Sequence, residues 1–179
     1  MPTEKQAATV GGKSDLIMTP DYLAHQVVGY FLPQISGRVL EPCAGDGAFL
    51  RAFSAHGLTD VVSLELSRNT DFFGFNEKID WIITNPPWSL AREFAKHAYT
   101  LAHDIVWLIN TGHFLGFRAR LRDCREAGFG VKEALLCDTP KKETGWPQSG
   151  FQLGALHFRK AWTDGMIFSV LENGQMANS

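Results

Sequence analysis

The apolar positions of this chain follow a helical rhythm first and then settle into short blocks that alternate with further helical patterns. In TPDYLAHQVVGYFLP, Leu23, Val27, Tyr30 and Phe31 recur at helical spacing until Pro33 stops the run. Thr19 is placed to cap that helix, and Pro20 fits its first turn. Beyond it, strand patterns at 38–40, 60–66, 80–84 and in IVWLI interleave with helical ones at 47–56 and 90–102, with a short apolar stretch at 71–75. A further helix puts Phe114, Phe117, Leu121 and Cys124 on one side and leads into VKEALLC. QLGALHFRKAW and MIFSVLE then read as a strand pair turning at Asp164-Gly165. This order predicts an open α/β fold: a mostly parallel sheet with helices on both faces and an antiparallel hairpin at its C-terminal end. No repeat or linker divides it. A single domain is expected over 16–172, between a flexible tail at 1–15 and a disordered tail at 173–179.

Composition narrows the function. The 179 residues are 45% hydrophobic and 20% charged, enough for one sizeable core. A formal charge of -2 excludes a protein held to nucleic acid by its overall field and leaves room only for local basic contacts. No apolar run approaches the ~20 residues of a membrane span, and the first residues lack the apolar core of a signal peptide, so a cytoplasmic protein with no membrane partner is expected. Cys43, Cys124 and Cys137 form no CxxC pair and the histidines are scattered, so no metal site is expected.

In open α/β sheets ligands collect at the carboxyl ends of strands, and three predicted strand ends carry chemistry. VLEPCAGDGAFL runs from a strand through Glu41-Pro42 into a turn with Gly45 and Gly47, where the backbone can approach a ligand closely. Glu65 in VVSLELS sits about twenty residues beyond that turn, suited to accept from the hydroxyls of a ribose. A pyrophosphate is disfavoured because the third glycine of GxGxxG is absent and Asp46 stands in the turn; a positively charged nucleoside fits better. The third strand end is IDWIITNPPWSL. Asn85-Pro86-Pro87-Trp88 is stiff, because both prolines have fixed φ and Asn85 and Pro86 each precede one. The Asn85 amide oxygen and the Pro86 carbonyl could accept both hydrogens of an exocyclic amine while Trp88 stacks on the ring that bears it.

These residues resemble the S-adenosylmethionine-dependent amino-methyltransferases, above all the DNA adenine-N6 group whose cofactor half comes first. EPCAGDGAFL is similar to that group's cofactor motif, LELS to its ribose-binding acidic motif and NPPW to its catalytic motif. Thr19-Pro20 resembles its upstream cofactor-contact motif, and Asp71-Phe72 the pair that holds the cofactor's adenine. The resemblance implies a Rossmann-like class I methyltransferase sheet. It also implies that Thr19, Pro20, Glu41, Pro42, Ala44, Gly45 and Gly47 surround the methionine part of S-adenosylmethionine. Glu65 would take the ribose, Asp71 the adenine amine and Phe72 the adenine ring; Asn85, Pro86, Pro87 and Trp88 would form the catalytic loop. Transfer would be direct and in line.

Cytosine-N4 enzymes typically open this motif with Ser, and cytosine-C5 enzymes use a Cys after Pro, so adenine in DNA is the favoured target. RNA adenine and protein glutamine remain alternatives, as does a non-catalytic cofactor- or base-binding subunit of a larger assembly. The sequence-specific relatives carry a separate recognition domain that this chain lacks, so target recognition is expected from loops, a partner protein or a homodimer. Candidate contacts are Lys141, Lys142 and Trp146 in DTPKKETGWPQSG. Arg118, Arg120, Arg122 and Arg125 wrap around a helix and read first as a solvated face.

Overall fold

Successive residues of a strand point to opposite faces of its sheet, and the apolar blocks use both. The computed structural model describes residues 17–146, 148, 150 and 152–171; the two tails expected from the sequence lie outside them. Its elements are α1 (Asp21–Phe31), β1 (Val39–Glu41), α2 (Ala48–Ala55), β2 (Val61–Ser63), β3 (Trp81–Thr84), α3 (Ala91–Leu101) and β4 (Asp104–Asn110). They are followed by α4 (Thr111–Leu115), α5 (Arg118–Glu126), β5 (Phe129–Leu136), β6 (Leu153–Lys160) and β7 (Ile167–Val170). The seven strands form one sheet in the order β2-β1-β3-β4-β6-β5-β7.

Val39, Trp81, Ile83, Val106 and Leu108 face α1 and α2, where Val27, Phe31, Phe49 and Phe53 close the layer. Leu40, Ile82, Ile105, Trp107 and Ile109 face the other way, against Phe94, Ala98, Phe114 and Cys124 of α3, α4 and α5. Both faces are therefore covered, as the parallel strands require, and β1, β3 and β4 are buried along their whole length.

Three local expectations are corrected. QLGALHFRKAW and MIFSVLE do not pair with each other: β6 runs antiparallel between β4 and β5, and β7 lies parallel to β5 at the edge. The burial explains this, since residues 153–158 of β6 are all buried and need neighbours on both sides, whereas β7 is largely exposed. Gly154 permits that position, because a Cβ there would come within 2.8 Å of the Leu135 carbonyl. The single helix expected after β4 is two, broken at Gly116-Phe117, which leaves Phe117 exposed rather than on the buried side with Phe114 and Cys124. Thr19 does not cap α1. Pro20 holds the cap position and its carbonyl accepts from the backbone of Leu23 and Ala24.

Candidate active site

Strand order reverses at β1. α2 carries the chain outward to β2, and the segment after β2 returns it to β3 on the other side of β1. Such a switch point leaves a crevice at the carboxyl ends of the strands. Residues 42–47, 64–72 and 85–88 follow the ends of β1, β2 and β3, so the three chemically distinctive segments of the sequence come together at this one end of the sheet.

Glu41, the last residue of β1, is 1% exposed. Its Oε1 accepts from the Cys43 backbone at 2.9 Å and from the Thr84 hydroxyl at 2.5 Å. Burial dominates its titration and raises the carboxyl to about 8 against the lowering effect of those two hydrogen bonds. Glu41 is thus largely protonated at neutral pH. The turn that follows continues the β1–β2 ladder, with Ala44 N–H donating to the Leu64 carbonyl and Leu64 N–H to that of Glu41. Pro42 and Ala44 are buried beneath it. Gly45 and Gly47 adopt φ of 52° and 91°, the left-handed region that disfavours side chains. Met18 closes over the turn, so near that a Cβ on Gly45 would lie 3.0 Å from its sulfur.

Glu65 binds across to the same turn. One carboxylate oxygen accepts from the Gly45 backbone at 2.7 Å and the other from that of Ser67 at 3.0 Å. Burial pushes its pKa up, but these bonds and Arg68 outweigh it and hold the carboxyl below its ordinary value. Each oxygen keeps a further acceptor site. Asp71 accepts from the Phe73 backbone at 3.0 Å and so closes the short turn Phe72–Gly74. The Phe72 ring is folded inward, stacked on Phe94 at 4.9 Å and edge-on to His97, while Phe73 is the exposed ring of the pair.

At the end of β3, the Asn85 side chain has both ends engaged. Its Nδ2 donates to the Thr19 hydroxyl at 3.2 Å, and its Oδ1 accepts from the Trp88 indole at 3.1 Å. An indole N–H can only donate, so the amide atom facing it is the oxygen, and the sense of the amide is fixed. Pro86 is buried; Pro87 leads into the turn Trp88–Leu90, which runs into α3. Trp88 meets Trp146 edge to face with centroids 6.2 Å apart. Trp146 is 3% exposed, so it supports Trp88 instead of projecting from its loop as the sequence suggested. Lys141 and Lys142 are exposed at the turn Lys142–Thr144.

The sequence reading did not single out Thr84, which ties β3 to Glu41, or Asn110, whose side chain accepts from the His113 backbone and starts α4. Each is the last residue of its strand, and that position was the available signal. Among the described residues, no group of His, Cys, Asp and Glu could hold a metal ion, and no helix is long and apolar enough to cross a membrane.

No protein-family model matches the chain. A type II methyltransferase of Thermus thermophilus, M.TthHB8I, is 32% identical over 117 residues, 56% of this chain; the chain spans only 27% of that relative's length. Among solved structures, an RNA methyltransferase candidate from Pyrococcus horikoshii, PH1948, superposes with a TM-score of 0.65 at 19% identity. The alignment covers 82% of this chain and 87% of that one. The M protein of the type I restriction enzyme EcoKI superposes with a TM-score of 0.59 at 14% identity, over 80% of this chain and 44% of its own. At such identities the likeness speaks for architecture. The seven-stranded, mostly parallel sheet with its antiparallel strand and two helical layers has the Rossmann-like class I methyltransferase fold.

Proposed function

We propose that this chain transfers a methyl group from S-adenosylmethionine to an exocyclic aromatic amine, the N6 of adenine in DNA. The observation that carries the reading is the fixed amide of Asn85. With Trp88 and Thr19 holding its two ends, the oxygen keeps one acceptor site for a substrate N–H. The type II methyltransferase likeness and the NPPW motif support the same reading.

The first crevice segments suit the cofactor. Glu41 is a buried carboxyl that an arriving cation would ionise, and the glycine turn brings bare backbone to the strand ends beside Glu65. Thr19, Pro20, Glu41, Pro42, Ala44, Gly45 and Gly47 would hold the methionine part, Glu65 the ribose and Asp71 the adenine amine; the Phe72 ring, expected against the adenine, is instead stacked into the core on Phe94 and leaves Phe73 as the exposed ring beside Asp71. Bound there, S-adenosylmethionine supplies an electrophilic methyl group on a sulfonium.

The protein's contribution is to make the amine nucleophilic. The lone pair of an aromatic amine is delocalised into its ring. Asn85 Oδ1 and the Pro86 carbonyl, accepting one hydrogen each, favour a tetrahedral nitrogen whose lone pair is localised. They also oppose the positive charge that develops there, and each is worth about 2 to 4 kcal/mol by analogy with oxyanion-hole donors. Pro86 and Pro87 hold the acceptors still, and Trp88 offers its face to the target base. Target recognition would come from loops such as the one carrying the exposed Lys141 and Lys142, from a partner protein or from a second copy of the chain.

Incubating the protein with S-adenosylmethionine labelled in the methyl group, together with unmethylated DNA, RNA or protein extract, tests the reading. Label in DNA that is recovered as N6-methyladenine is expected. Label confined to RNA or to glutamine overturns the choice of substrate, and tight cofactor binding with no label anywhere overturns catalysis.

A further inference from the structure

The four arginines of FRARLRDCR do not share one environment. On α5, Arg118, Arg122 and Arg125 fall within about 60° of one another around the helix, whereas Arg120 points roughly 160° away from that stripe. Arg118 and Arg125 are exposed, and Arg122 approaches Glu126 at 3.9 Å, as on an ordinary solvated face. Arg120 instead turns back over α4, at the carboxyl end of β4. Its Nη1 donates to the His113 carbonyl and to His113 Nδ1, and its guanidinium lies 4.8 Å from the centroid of the Phe117 ring. His113 packs edge-on against the same ring. Phe117 is 53% exposed, so part of its ring is open to a partner.

Arg120 therefore has its geometry fixed without an ion pair: among the described residues it forms no salt bridge, while nearby Arg92 is clamped by Asp123 at 2.6 Å. Arg92 and Glu93, in the first turn of α3, are close enough to influence its charge, and that turn begins three residues after Trp88. Because β4 lies beside β3 and parallel to it, this guanidinium and exposed ring, on the segment that follows β4, belong to the same edge of the sheet as the loop that carries Asn85. Glu93 acts on Arg120 from beyond ion-pair distance, so the rest of the guanidinium fork is left for another acceptor, and its planar donors match a phosphate.

Resting on the nucleic-acid reading above, the geometry points to Arg120 and Phe117 as the docking site for the strand that presents the target base: Arg120 takes a backbone phosphate and Phe117 stacks on a neighbouring unpaired base. His113, through its carbonyl and ring nitrogen, is the positioning residue that holds Arg120 in place.

The test measures methyl transfer to an adenine-containing single-stranded and duplex oligonucleotide, and oligonucleotide binding by anisotropy, across a salt series. Arg120→Ala is expected to raise the KM for the oligonucleotide about tenfold, with kcat nearly kept, and to flatten the salt slope by about 0.7 to 0.9, the value of one lost phosphate contact. Phe117→Ala should weaken binding about fivefold or more with an unchanged slope, the signature of lost stacking. Arg118→Ala, on the solvated stripe, should change neither beyond twofold. Cofactor binding and the thermal midpoint report that each variant is folded. If the parent protein binds and methylates oligonucleotides but Arg120→Ala and Phe117→Ala match Arg118→Ala, the docking site is overturned and the proposed function stands. If the parent protein neither binds nor methylates any oligonucleotide, the proposed function and the docking site fall together.

Discussion

Trp146 meets Trp88 edge to face, with their centroids 6.2 Å apart and their planes at 72°. One ring is buried among α1, α2 and the inner face of the sheet, and the other is half-buried at the end of β3. The pair joins the core to the candidate catalytic loop, because a Trp88 with no support beneath it could not keep its indole N–H on Asn85. Trp146→Ala should cost about 3 kcal/mol of stability through the cavity it leaves. It should also raise the KM for the amine substrate, read alongside the urea midpoint. Trp146→Phe, which keeps an edge against Trp88, should recover most of the KM.

The same residue marks where the sequence stopped being legible. Strand and helix order, both helical layers and the meeting of Glu41, Glu65 and Asn85 follow from periodicity and from the strand-end rule, which act locally. Trp146 lies in a long stretch without periodicity, so nothing local shows that its ring is drawn into the core. The pairing of β6 is non-local in the same way: only the register with β4 and β5 reveals that it inserts between them. The Asp164-Gly165 turn looked like a hairpin because the turn residues were right, while burial decided the partners. Thr19 has the chemistry of a helix cap and Pro20 that of a first-turn residue, yet the helix starts one residue later, with Pro20 at the cap position.

Asn85→Ala removes one of the two proposed acceptors and leaves the Trp88 indole without its partner. A loss of about 2 to 4 kcal/mol in the transition state corresponds to a fall in kcat of roughly 30- to 1000-fold. Affinity for S-adenosylmethionine, measured by calorimetry, should stay within about twofold. An equal loss in both would place Asn85 in the cofactor pocket instead.

Thr19 fixes the other end of the same amide, its hydroxyl accepting from Asn85 Nδ2. Thr19→Val keeps the shape but deletes the acceptor, a loss of about 1 kcal/mol or a fivefold fall in kcat. Thr19→Ser should restore the rate. A structural role for the methyl group alone would reverse this order, with Val active and Ser impaired.

Glu41 gives the protein an inverted acid response. Its native carboxyl titrates near 8, while the ordinary value is 4.5, so between these two the unfolded chain has lost a proton that the native state retains. Stability from this group is complete below about pH 4.5 and declines as pH rises through 8, by roughly 5 kcal/mol over the window. Urea midpoints at pH 5, 7 and 9 should fall along that series. Glu41→Gln, which stays neutral, should remove this component of the fall; an unchanged slope in the variant would assign it to another group.

A cation held beside Glu41 reverses the preference, and this turns the carboxyl into a reporter of the cofactor's orientation. If the sulfonium or ammonium of S-adenosylmethionine sits next to Glu41, binding favours the carboxylate and lowers its pKa. At pH 7, where unliganded Glu41 is protonated, binding then releases up to about one proton. Calorimetry in buffers of different ionisation enthalpy should show that release. Affinity should rise as pH increases towards 8, by no more than about tenfold per pH unit, and then level off as Glu41 ionises unaided. Glu41→Gln should bind with no buffer dependence from this site. A parent protein that releases no proton at pH 7 would separate Glu41 from the charged end of the cofactor and leave Glu65 as the acidic residue of the pocket.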